Sequence, residues 1–106
     1  MVYKIIWSPD ARNDLKKIYV FYSEKSPSAA NRIVSDINSQ TLLLINQPFI
    51  AAIEPLLEND SRGFRSLLAF KGKFKILYYI EFKCVNIVYI WNCKQDPQKI
   101  RKRFTR

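Results

Sequence analysis

The sequence predicts an α+β domain: an antiparallel sheet packed on an N-terminal helical hairpin, order βααβββ, closed by a short basic C-terminal tail or helix. Three observations predict it. Apolar residues recur at helical spacing through the first half of the chain, and from Gly63 onward the period falls to two. The 106 residues, 48% of them apolar, match one domain with one hydrophobic core.

Val2–Trp7 reads as a short strand. Ser8-Pro9-Asp10 then opens a helix, with Ser8 as cap, Pro9 at the first helical position, and Asp10 and Asp14 where the helix dipole favours negative charge. Ala11, Leu15, Ile18, Tyr19 and Tyr22 mark its apolar face, and Lys16 and Lys17 turn outward. Ser26-Pro27-Ser28 ends this helix near Lys25 and starts a second one, with Ala30, Ile33, Val34, Ile37, Thr41 and Leu44 on one side, finishing before Pro48. So short a link makes the two helices an antiparallel hairpin. Residues 48–62 read as a loop with a helical turn around Ala52–Leu57.

Three strands follow, Phe64–Phe70, Phe74–Phe82 and Val85–Cys93, with hairpin turns at Lys71-Gly72-Lys73 and near Lys83-Cys84. One alternation (Phe64, Ser66, Leu68, Phe70; Phe74, Ile76, Tyr78, Ile80, Phe82; Val85, Ile87, Tyr89, Trp91) is almost wholly apolar and is expected to face the helices. The other is mixed. Arg65, Lys73, Lys75, Asn92 and Lys94 give it a cationic end, while Leu67, Leu77, Tyr79, Val88 and Ile90 form an apolar patch. The tail opened by Pro97 is too basic and too short to cover that patch, so a separate chain is expected over it, bringing acids to the cations.

Charge supports the same expectation. The net charge of +9 is segregated: residues 1–60 carry six basic and seven acidic side chains, residues 61–106 twelve and two. Such asymmetry points to a polyanionic partner, either nucleic acid or an acidic protein segment. No apolar run approaches the roughly 20 residues that cross a bilayer, and the N-terminus lacks a secretory pattern; no membrane partner is expected and the cytoplasm is the expected compartment. Cys84 and Cys93 match no metal spacing, the chain has no histidine, and neither a metal nor any other cofactor is expected.

The order of these residues resembles the RelE/ParE toxin superfamily of bacterial toxin–antitoxin systems, its ParE-like branch more than its RelE-like one. The resemblance rests on Ser8, Pro9, Ala11, Asp14, Leu15 and Ile18 at the helix start, then Ala30, Pro48 and Arg65. It continues through Phe74-Lys75-Ile76-Leu77-Tyr78-Tyr79, Val88-Tyr89-Ile90 and the basic tail. It implies a growth-inhibiting toxin wrapped by a cognate acidic antitoxin. The toxin–antitoxin complex is then expected to bind operator DNA through the antitoxin. The target is DNA gyrase for a ParE-like member, or the ribosome with its mRNA for a RelE-like RNase.

For the RNase alternative the matching positions are Arg65 and Lys75, the catalytic candidates, with Lys94 kept and Arg101 or Ile100 near the place of a tail tyrosine. The second strand lysine falls on Leu67, the next arginine on Gln95, and no tyrosine follows Tyr89. Metal-free RNA cleavage needs a base and an acid as well as cations. The matched positions keep the anion-stabilising half of such a site and lack the proton-transfer half, which favours the gyrase reading. The surface expected to meet antitoxin or target comprises Arg65, Leu67, Lys73, Lys75, Leu77 and Tyr79 with Val88, Ile90, Asn92, Lys94 and Arg101.

Overall fold

The computed structural model describes residues 2–104. Its elements are β1 (Lys4–Trp7), α1 (Pro9–Ser23), α2 (Pro27–Leu43), a 3-10 turn (Pro55–Leu57), β2 (Arg65–Ala69), β3 (Phe74–Glu81), β4 (Cys84–Asn92) and α3 (Gln98–Phe104). Both long helices start where the sequence expects. The Ser8 and Ser26 hydroxyls accept the amides of Ala11 and Ala29, and each is followed by proline. The sheet order is β1-β4-β3-β2; β2, β3 and β4 form an antiparallel meander, and β1 joins β4 in parallel. The sheet is therefore mixed rather than purely antiparallel. The two-helix excursion between β1 and β2 returns the chain to the far edge of the sheet.

Two details of register decide which side chains face the helices, and both depart from simple alternation. β2 and β3 pair Ala69 with Phe74, leaving a four-residue turn at 70–73. Side chains directly opposite one another share a face, so Leu67 and Ala69 join Ile76 and Phe74 on the helix side, and Phe64 goes to the other. This one-residue slip inverts the expected face of the whole strand. The second detail is a β-bulge in β4. Leu77 pairs with Tyr89 but Tyr78 pairs with Ile87, so Val88 is an extra residue. Beyond it Ile90 points into the helix-side core, and Tyr89 and Trp91 point away, the reverse of the expectation.

The result is two cores on one sheet. The larger lies under the helices, with Ala11, Ile33, Ile37 and Leu44 packed on Ile76, Tyr78, Val85, Ile87 and Ile90. The smaller lies on the opposite face, where Leu57 of the 3-10 turn and Ile100 of α3 cover Phe64, Leu77, Tyr89 and Trp91, with Phe104 packed alongside. The C-terminal segment thus does cover the sheet. Ile100 and Phe104, one helical turn apart, give this basic helix an apolar edge.

Phe82 and Lys83 form the two-residue turn between β3 and β4, with φ of 54° and 59°. That turn wants Asn-Gly, because both central residues take the left-handed conformation. Phe82 is 89% exposed, so side-chain burial does little to offset the strain. Replacing the pair (Phe82→Asn with Lys83→Gly) is expected to stabilise the chain by about 1–2 kcal/mol in urea denaturation. An unchanged or lower midpoint would show that the side chains themselves hold the turn.

Candidate functional site

The residues singled out from the sequence do not form one open surface. Leu77 is fully buried beneath the 3-10 turn and α3, and Ile90 is 3% exposed in the helix-side core. Leu67 packs against the helix-side core, while Tyr79 and Val88 pack against the second one. Of the expected apolar patch, Leu77 and Ile90 are therefore interior, and Leu67, Tyr79 and Val88 are half-buried. The slip in β2 and the bulge in β4 carry Leu67 and Ile90 to the helix side, and the 3-10 turn and α3 cover Leu77 on the other face.

The cations are divided as well. Lys75 donates to the Glu54 carboxylate at 2.7 Å, and that carboxylate, 1% exposed, also accepts the Leu56 amide at the start of the 3-10 turn. Arg65 donates to the Ala51 carbonyl and lies over the Phe49 ring, 5.2 Å from its centroid. Arg101 donates through Nε to the Leu56 carbonyl, tying α3 to the 3-10 turn. Asn92 accepts the Lys94 amide through its own side chain. Lys73 and Lys94 remain exposed near the 70–73 turn, where the Cys93 amide donates to the Lys73 carbonyl.

The one carboxylate placed against these cations, Glu54, is engaged by Lys75 and the Leu56 amide. Burial pushes the Cys93 thiol up from its ordinary value, with Glu54 adding to the rise and Lys75 opposing it. Burial raises the Tyr78 phenol too; its hydroxyl donates to the Pro48 carbonyl. Both groups stay protonated near neutrality. Among the described residues no group of three His, Cys, Asp or Glu side chains is placed to hold a metal.

Sequence reading missed the node that ties the molecule together, built on Ser8 and Asp14 of α1. The Ser8 hydroxyl donates to the carbonyl of Val88, the bulged residue, at 2.7 Å. The Asp14 carboxylate accepts the Ile90 amide at 3.0 Å. These bonds serve two backbone groups beside the bulge, at the point where it interrupts the ladder. Asp14 also receives both terminal nitrogens of Arg103 at 3.2 and 3.3 Å, and the Arg103 guanidinium lies 3.5 Å from the Tyr89 ring centroid. The Tyr89 hydroxyl in turn donates to the Arg103 carbonyl. One carboxylate thereby joins α1, the bulge and α3. The spacing of Ser8 and Asp14 was visible as helix-start chemistry; partners 80 and 76 residues away were not.

An N-terminal helical hairpin on a four-stranded mixed sheet, closed by a basic C-terminal helix, defines the class as a RelE/ParE-type domain. A family model described as the ParE toxin of the type II toxin–antitoxin system parDE matches residues 5–97. The chain belongs to this ParE toxin family, and it is the toxin type of component in such a system. Among solved structures it is similar to a chain of the "Chromosomal ParDE TA system from P. aeruginosa", with a TM-score of 0.71 and 25% identity over 86% of this chain and 96% of that one. No curated protein matches the sequence significantly. Among the described residues no helix is long and apolar enough to cross a membrane.

Proposed function

We propose that this chain arrests growth by acting on DNA gyrase in the cytoplasm, and that a cognate acidic antitoxin encoded beside it holds it silent. The observation that carries this reading is how Lys75 and Arg65 are used. Both are the positions that the resemblance matches to nuclease cations, and both are tied to internal partners, Glu54 and the Ala51 carbonyl. The chain has no histidine, burial pushes the Tyr78 phenol and the Cys93 thiol further up, and the Glu54 carboxylate is taken by Lys75. A metal-free RNase needs a proton acceptor as well as a proton donor. Family membership in the ParE branch points the same way. The strong positive charge suits an acidic antitoxin, whose complex with this chain would reach operator DNA through the antitoxin.

The test is supercoiling of relaxed plasmid by purified gyrase. The chain is expected to abolish it, and added antitoxin to restore it; full supercoiling at molar excess of the chain would overturn the gyrase target. The alternative, a ribosome-dependent RNase, draws on the exposed Lys73 and Lys94 at one end of the sheet. It requires cleavage in the ribosomal A site, visible by toeprinting and abolished by Arg65→Ala or Lys75→Ala.

A further inference from the structure

Charge is absent from one stretch of this basic chain. Between Asp36 and Glu54 no residue is charged, the longest such run in the sequence. It comprises the last turns of α2 and the loop that follows. That loop folds on itself, the amides of Ile45, Gln47 and Ile50 donating to the carbonyls of Leu42, Leu43 and Gln47. It is also tied across one end of the sheet, where the Tyr3 amide donates to the Ile45 carbonyl, the Tyr78 hydroxyl to that of Pro48 and the Ser66 amide to that of Ala52. Leu44 and Ala51 are buried by this docking, but Leu42, Leu43, Phe49, Ile50 and Ile53 stay outside, between 42% and 60% exposed. Phe49 is held in place although it is exposed: the Tyr3 ring meets it edge-on at 6.4 Å, and the Arg65 guanidinium lies over its other contacts with the sheet at 5.2 Å from the ring centroid.

We infer that this uncharged end is where two copies of the chain meet, as a weak symmetric dimer. The inference does not depend on the cellular target. Exposed apolar side chains scattered singly need no partner, but five within one short, hydrogen-bonded segment make a patch on the order of a few hundred Å². An aromatic side chain already fixed on such a patch is an interface anchor, since it loses little freedom on being covered. The occupant follows from charge. An acidic segment or a nucleic acid finds no cation within the run to pair with, and Arg65, the cation over Phe49, already donates to the Ala51 carbonyl. Two copies of a chain of net charge +9 repel one another, least so where charge is absent from both. A two-fold axis through this segment sets uncharged surface against uncharged surface. Doubling a patch of this size reaches only the low end of specific interfaces, so the dimer is weak.

Sedimentation velocity on the full chain, freed of partner protein and nucleic acid, tests this. A monomer–dimer equilibrium is expected in the range of about 1–100 µM. It should strengthen between about 0.1 and 0.5 M salt, because screening relieves the repulsion between the copies. Phe49→Asp should raise the dissociation constant about tenfold or more. Leu42→Lys should do the same, and it guards against a folding defect in the first variant, since Leu42 is 60% exposed and a lysine suits the last turn of a helix. Phe21→Asp, an equal change to an exposed aromatic at the other end of the helical hairpin, should leave the equilibrium alone. A chain that stays monomeric at about 500 µM in high salt overturns the inference. Association that dissolves as salt rises overturns it too, because that is the mark of a bridging polyanion. So does slowed amide exchange over residues 42–53 that appears only when an acidic antitoxin or gyrase is added, for the patch then belongs to that partner. None of these outcomes removes the toxin–antitoxin reading, which growth arrest and its neutralisation test separately.

Discussion

Phe64→Ala is expected to destabilise the chain by about 3–5 kcal/mol, the usual cost of emptying a buried aromatic site, and to lower the thermal midpoint by more than about 10 °C. Phe64 is fully buried at the centre of the second core. Its ring meets Phe104 edge-on at 4.7 Å and Tyr79 at 5.4 Å, and the Arg62 guanidinium lies 4.7 Å from its centroid. Truncation takes away the surface on which α3 packs, so α3 should loosen before the rest of the sheet. Phe74→Ala supplies the comparison. Phe74 is equally buried, but in the helix-side core, against Tyr22 at 6.2 Å. Its loss should cost a similar amount without speeding amide exchange in α3. If Phe64→Ala cost less than about 1 kcal/mol, the second core would not be a packed core at all.

Breaking the Glu54–Lys75 pair should have the next largest effect, and an unequal one. Removing one partner of a buried pair costs about 3–5 kcal/mol, because the other charge is stranded. The Glu54 carboxylate is 1% exposed and the Lys75 side chain 26%. The lysine has a route to water and the glutamate does not, so Lys75→Met should be the more damaging change despite its conservative shape. Glu54→Ala should cost less, part of it through losing the cap on the Leu56 amide. Changing both together, Glu54→Leu with Lys75→Met, should return most of the stability, since apolar replacement of a buried pair is often neutral. A double-mutant cycle in urea denaturation measures the coupling. Additive single and double changes would mean that the ion pair contributes nothing. The double variant also bears on function: growth arrest that survives it separates Lys75 from any catalytic role.

Much of this molecule was decided by sequence alone. Ser8-Pro9 and Ser26-Pro27 set both helix starts, because capping is chemistry between residues three apart. The alternating apolar runs after Gly63 specified strands, and twelve basic against two acidic side chains specified a cationic second half. Tertiary structure alone decided which face each strand presents. The four-residue turn after Ala69 and the extra Val88 each shift the chain by one residue, and in a strand of period two such a shift sends every later side chain to the opposite face. That is why Ile90, expected at a partner surface, ended in the helix-side core, whereas Leu77 kept its expected face and is buried there by the 3-10 turn and α3. Pairing was equally out of reach of local reading. Lys75 meets Glu54, and Asp14 meets Ile90 and Arg103, because separate elements cross there. Only α3 offered a local signal: Ile100 and Phe104, four apart in a basic run, outline the apolar edge that closes the sheet. Local spacing determines elements through short-range hydrogen bonding and periodicity, whereas faces and charge partners depend on register, which is settled when the whole sheet assembles.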